Sequence, residues 1–383
     1  MTRRMLYLLT TCLVVVWMLM LTGCGAAKSK GDAIVYVAVP LSGWQAEGGQ
    51  TLAGGVRLMA AEINKTGGLL GYQIKVVPVD DEADPDTAAK VAEEIKAAVD
   101  NGDRVIGVIG HYNSGETSVG METYKDLPLI VITATASDVS ITQKGYRNFF
   151  RVNATDAAQA PFVAKFLVEK LGAKRIAVVY ADNDYGRGLR EQMTKALTSL
   201  GQTPAASIEI KEGAASQADA VAKIKASQAD AVFLAGYETE GYVLLPELRD
   251  AGVTTPFLCS DGCLPYAFID ESGPAAEGAY VSGITPDAHA VANAAWWKAY
   301  QQVENRNPGT YSTAGYSAMN VLAEGIKSAK SFDRQKVADA LRRLQLKTLV
   351  GDVSYDDKGD LRQQNIYVFQ VKDGNYVQVA PAP

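Results

Sequence analysis

Histidine is nearly absent from this chain of 383 residues, where only His111 and His289 occur. Imidazole metal sites and histidine-dependent catalytic triads therefore have almost nothing to draw on. Cysteine is scarce as well, four in all, which excludes a small disulfide-stapled scaffold and leaves the core to hold the fold. Positive charge is not in excess. Lys and Arg number 37 against 43 Asp and Glu, a net charge of -6, so there is no basic stripe to release counterions and nucleic acid is not an expected partner. Enzyme signatures are missing too. No Gly-x-x-x-x-Gly-Lys-Ser/Thr loop occurs, Gly186-Arg187-Gly188 lacks the third glycine of a dinucleotide fingerprint, and Gly315-Tyr316-Ser317-Ala318-Met319 lacks the closing glycine of a nucleophile elbow. No metal, no cofactor and no catalysis are expected.

What remains is an ordinary globular composition, 48% hydrophobic and 21% charged, in a length that fits two domains. The N-terminus reads as an address. Arg3 and Arg4 precede an uncharged apolar run from Met5 to Leu21, followed by Thr22-Gly23-Cys24 and a polar stretch, the layout of a secretory signal over residues 1–23. An uncleaved membrane anchor is the alternative, at the short limit of a bilayer span. Leu21-Thr22-Gly23-Cys24 resembles the bacterial lipobox, in which cleavage precedes a cysteine that then carries lipid. Residues 24–31 would be the lipid-anchored tether, and the body would sit outside the cytoplasm on a membrane. Cys12 leaves with the signal and Cys24 takes the lipid, so Cys259 and Cys263 remain as a pair for a short disulfide in an oxidising compartment.

Beyond the tether, apolar runs alternate with amphipathic stretches. Ile34–Val39, Gln73–Val79, Val105–Gly110 and Leu129–Ile132 read as strands, separated by helices over Thr51–Lys65, from Asp84-Pro85 to Val99, and over Glu116–Lys125. The grammar restarts at Asp156, with strands Arg175–Tyr180, Ala205–Ile210, Ala231–Leu234, Pro256–Cys259 and Ala279–Gly283 between further helices. A helix-rich tail over residues 289–344 and two or three strands between Leu349 and Val379 close the chain. Alternating βα units imply parallel sheets covered on both faces.

Open α/β sheets bind ligands at strand C-terminal ends. Gly110-His111-Tyr112-Asn113-Ser114-Gly115 ends one strand and starts a helix, so the Ser114 hydroxyl and following N–H groups can meet an anion. Thr133-Ala134-Thr135-Ala136-Ser137 ends the next and adds hydroxyls. Such neutral donors suit a carboxylate. Tyr185, Tyr237 and Asp261 each follow a strand of the second half, and an acid beside a phenol suits an ammonium group.

In order and spacing these loops resemble the Leu/Ile/Val-binding proteins, the branched-chain amino-acid receptors of ABC transporters. The resemblance is carried by Leu41-Ser42-Gly43, Glu62-Ile63-Asn64 to Gly71, Asp80-Asp81, Gly110-His111 with Asn113-Ser114-Gly115, Lys144-Gly145-Tyr146, Phe149-Phe150-Arg151, Tyr185-Gly186, Gly236-Tyr237, Gly315-Tyr316 and Asp356 to Asp360. It implies an α/β fold of two doubly wound parallel-sheet lobes joined by a three-crossover hinge, the type I periplasmic-binding fold. Residues 32–154 with 286–355 would form lobe 1, and 155–285 with 356–383 lobe 2. Ser114, the backbone around Thr135 and the Ser137 hydroxyl would hold an α-carboxylate; Tyr237 and Asp261 would hold the α-ammonium. Tyr185 and Tyr316 would line the pocket, with Asn113 beside Ser114. Where the family carries an aromatic this chain has Gly48, so Trp44 would supply that wall; Tyr112 replaces a smaller aliphatic residue, and Glu116 adds a charge near the mouth. The implied activity is capture of an L-amino acid, branched-chain or otherwise aliphatic, by a monomer that delivers it to an ABC permease. An amide, urea or aromatic acid ligand, or a ligand-sensing role, is the alternative.

Overall fold

The computed structural model describes residues 29–381; the signal segment and Cys24 lie outside them. A first sheet is built from β1 (Asp32–Val39), β2 (Gln73–Asp80), β3 (Val105–Gly110), β4 (Ile130–Thr133) and β5 (Phe149–Arg151), all parallel in the order β2-β1-β3-β4-β5. A second contains β6 (Ile176–Ala181), β7 (Ala206–Ile210), β8 (Ala231–Ala235), β9 (Phe257–Cys259) and β10 (Tyr280–Gly283), with the order β7-β6-β8-β9-β10 repeating the first topology. Two antiparallel strands, Tyr367–Lys372 and Asn375–Ala380, extend its β10 edge. Every residue of β3, β4, β8 and β9 is buried, as parallel strands covered by helices on both faces require.

Local signals place the helices. Asp84 accepts a hydrogen bond from the Thr87 N–H, and Pro85 occupies the first turn of the helix Pro85–Asp100. Helix α1 (Ala46–Lys65) starts well before the expected Thr51, because Gly48 and Gly49 read as loop yet are helical. Glycine is needed there for contact: a Cβ at Gly49 would collide with the Pro40 carbonyl. The same device docks α1 on the helix Ser312–Ala329, where Gly55 meets the Ser312 carbonyl and Gly315 meets the Leu52 carbonyl. β5 and the short helices Val139–Gln143 and Ala267–Ser272 carry no signal in the sequence, since three to six residues are too few to show a period.

The chain crosses between the sheets after β5, after β10 and before Tyr367. One expected boundary is corrected. Asp356–Leu361, assigned to the second lobe from the sequence, packs on the first: the Arg151 N–H donates to the Gly359 carbonyl at 3.1 Å and the Arg151 guanidinium pairs with Asp360 at 2.8 Å. The third crossing therefore lies between Leu361 and Tyr367. The lobes are closed on each other. Tyr311, from the first, donates its hydroxyl to the Asp261 carbonyl of the second at 3.0 Å, and the Trp44 ring lies 5.6 Å from that of Tyr237.

Candidate ligand-binding site

Strand ends from both lobes meet in one pocket. Its lining includes Tyr112, Asn113, Ser114, Thr135, Ala136 and Ser137 from the first lobe, facing Tyr185, Tyr237, Asp261 and Gly262 from the second. The anion side is made of small residues whose backbone is fixed. His111 donates and accepts only within the protein, its ring nitrogens 2.7 Å from the Asp81 carboxylate and 3.1 Å from the Tyr124 hydroxyl, so it anchors the loop and is no base facing the cleft. Ser114 begins the helix Ser114–Tyr124, and its hydroxyl accepts the Asp138 N–H at 3.2 Å, leaving its own proton to donate. The Thr135 hydroxyl is committed to the Tyr112 carbonyl, so Thr135 can serve only through its backbone. The buried Ser137 hydroxyl has no hydrogen-bond partner. Unpaired buried donors of this kind cost about 1–3 kcal/mol each, a cost that an anionic ligand removes.

The opposite side is acidic. Asp261 accepts from Gln159 Nε2 at 2.6 Å and from the Tyr185 hydroxyl at 2.6 Å, and burial raises its carboxyl pKa to about 6. Asp156, at the start of the helix Asp156–Lys165, is fully buried with neither oxygen properly hydrogen-bonded; the Ser137 hydroxyl lies beside it without reaching bonding geometry. Burial, then the Asp261 charge, pushes its pKa upward. Among the described residues no Lys or Arg lines the pocket. A buried carboxyl beside a phenol, as at Asp261 and Tyr185, has the chemistry that suits an ammonium group. The Tyr185 and Tyr237 rings stack at 5.0 Å to form the remaining wall; Trp44, expected to line the pocket, lies 5.6 Å from the Tyr237 ring but is exposed and outside the lining.

Cys259 and Cys263 are bonded, with Cα atoms 6.0 Å apart, across the turn that presents Asp261. Of the expected lining residues, Tyr316 is a correction. Its hydroxyl donates to Glu62 at 2.6 Å and its ring packs edge-on against Trp296, away from the pocket. Tyr311 takes that place. Glu116 also differs from expectation: it is buried, and burial raises its pKa to about 8, so it brings little charge to the mouth at neutral pH. Tyr311 and Gln45, which line the pocket, and Gln159, which holds Asp261, are the residues that sequence reasoning missed. Among the described residues no three His, Cys, Asp or Glu side chains converge as metal ligands.

A family described as periplasmic binding protein matches residues 36–375. The chain belongs to that family. Within it the likeness is to the Leu/Ile/Val-binding proteins. A leucine-, isoleucine-, valine-, threonine- and alanine-binding protein of Pseudomonas aeruginosa is 30% identical over 352 residues, covering 91% of this chain and 93% of the relative. A Leu/Ile/Val-binding protein homolog 1 of Brucella melitensis is 29% identical over 91% of this chain and 94% of its own length. Among solved structures, a leucine binding protein, LivK, of Thermotoga maritima superposes with a TM-score of 0.82 at 24% identity, covering 91% of this chain and 98% of that one. A solute binding protein from R. palustris in complex with benzoate reaches a TM-score of 0.79 at 20% identity, covering 91% and 96%. This periplasmic-binding fold has the two-lobe α/β architecture that the sequence implied.

Proposed function

We propose that this chain is a lipid-anchored, extracytoplasmic solute-binding protein that captures an L-amino acid with an aliphatic side chain and delivers it to an ABC permease. The observation that carries the reading is the split of the site. Anion donors at Ser114 and Ser137 belong to one lobe; the Asp261 carboxyl of the other faces them across the cleft. A zwitterion satisfies both only when the lobes close, and this differential contact is what allows a ligand to shift a hinge equilibrium. The relatives named for amino acids support the same class. An amine-free acid such as benzoate would meet the hydroxyls and leave the buried Asp261 carboxyl without a counter-charge, which argues against it here. Anchoring through Cys24 rests on the lipobox-like tetrapeptide.

The test is a thermal-shift screen of the protein, stripped of carried-over ligand by unfolding and refolding, against all L-amino acids, amides, urea and aromatic acids. A ligand at about a thousand times its dissociation constant stabilises by roughly 4 kcal/mol, a shift that is easily seen. Selective shifts by L-amino acids are expected; shifts confined to amine-free acids or amides would overturn the reading.

A further inference from the structure

We infer that Tyr112 stops the side-chain end of this pocket, so that the ligand is drawn from the smallest amino acids, alanine, glycine or serine, and not from the branched-chain group. The inference rests on the amino-acid reading above and replaces its aliphatic preference by one for small side chains. Tyr112 follows β3 and is buried, its ring edge-on to Tyr311 at 5.4 Å. Its backbone is pinned where the carbonyl accepts the Thr135 hydroxyl. Its phenol reaches across to the first turn of α1, and a Cβ at Gly48 would collide with the Tyr112 hydroxyl oxygen. Gly48 is thus the residue that lets the phenol extend, and the phenol fills the space above it.

The remaining walls do not give way easily. Tyr185 and Tyr237 are stacked and buried, and the Tyr311 hydroxyl is tied to the Asp261 carbonyl. The cavity left between these walls is small. Each side-chain carbon added beyond the α-carbon must therefore displace a packed aromatic ring, and leucine brings three more than alanine. Gln45, whose Oε1 accepts from Asn113 at 2.7 Å, lines the same pocket, and its buried Nε2, without a hydrogen-bond partner among the described residues, is a donor open to a β-hydroxyl, which places serine in the accepted set.

Calorimetric titration of the ligand-stripped protein with L-alanine and L-leucine tests this directly. Alanine is expected to bind about tenfold or more tightly than leucine, as overpacking a filled site requires. Tyr112→Leu is expected to bring leucine to within about threefold of alanine. Leucine binding the unmodified protein as tightly as alanine would overturn the inference while leaving the amino-acid reading intact, as would an unchanged ratio in Tyr112→Leu. If that variant fails to fold, the ratio in the unmodified protein decides alone. Benzoate or an amide binding where neither amino acid does would remove the amino-acid reading, and the inference with it.

Discussion

Asp156 is fully buried, and after burial itself the charge of Asp261 is the main cause that raises its carboxyl pKa. The pair is therefore unfavourable in the absence of a cation and favourable around one. Asp261→Asn is expected to weaken amino-acid binding about 10- to 100-fold, the loss of one hydrogen bond to a charged group. Propionate, which has the carboxylate without the amine, should change by less than about threefold. Calorimetry on both ligands checks this, and equal losses for the two would mean that Asp261 does not hold the ammonium. Asp156→Asn should raise the melting temperature of the ligand-free protein, because it removes an ionisable group from a site that disfavours its charge.

Buried acids set a pH dependence of definite sign. Glu116 has a folded-state pKa of about 8 against an ordinary 4.5, and Glu240 one of about 7, both raised by burial. The folded state therefore holds protons that the unfolded chain has released, and the associated stability is present below about pH 4.5 and lost as pH rises through 8. Melting temperature of the ligand-free protein is expected to fall between pH 5 and about 8.5, and Glu116→Gln to flatten that fall. Ligand affinity runs the other way. Asp261 must be charged to hold an ammonium, so amino-acid affinity should drop as pH falls below its value of about 6. A thermal series read beside a calorimetric series separates the two trends.

The fold was legible in the sequence wherever the signal was long. Runs such as Val105–Gly110 and Ala231–Ala235 announce buried parallel strands, and the polar loops that end them supply Ser114, Thr135, Ser137, Tyr185, Tyr237 and Asp261, which the structure brings to one pocket. What failed was orientation and context. Tyr311 and Tyr316 differ by five residues at the start of one helix, about 140° around its axis, and sequence pattern does not say which direction faces the cleft. Asp156 reads as an acid in the first turn of a helix, an arrangement that needs no ligand to explain it. Gln45 was hidden because Gly48 and Gly49 disguise the beginning of α1, and only the neighbours they touch explain why glycine is helical there.

The disulfide encloses Asp261 in a ring of five residues from Cys259 to Cys263, tightened by the Cys263 N–H bond to the Ser260 carbonyl at 3.0 Å. Replacing both cysteines by serine should destabilise by about 2 kcal/mol on chain-entropy grounds. It should also weaken amino-acid binding, because the turn that aims the carboxylate gains freedom. Urea denaturation and calorimetry read the two effects. A stability loss with unchanged affinity would show that Gln159 and Tyr185 suffice to hold Asp261.

Arg151 connects the anion side of the site to the third crossing. Its side chain is fully buried at the end of β5, with Nε 2.8 Å from Asp360 and the two terminal nitrogens donating to the carbonyls of Ala136 and Asp138. The guanidinium thereby fixes the loop that carries Thr135 and Ser137, and burial depresses its pKa while Asp360 opposes that shift. Asp360→Asn leaves a buried cation without its counter-charge and should cost about 3 kcal/mol in urea denaturation. Adding Arg151→Met to that variant should recover part of the stability, since a buried pair replaced by apolar groups is often close to neutral. Affinity should not recover with it, because the Ala136 and Asp138 carbonyls lose their donor and the anion loop is no longer held. A double variant that regains both stability and affinity would reduce Arg151 to a core residue with no positioning role.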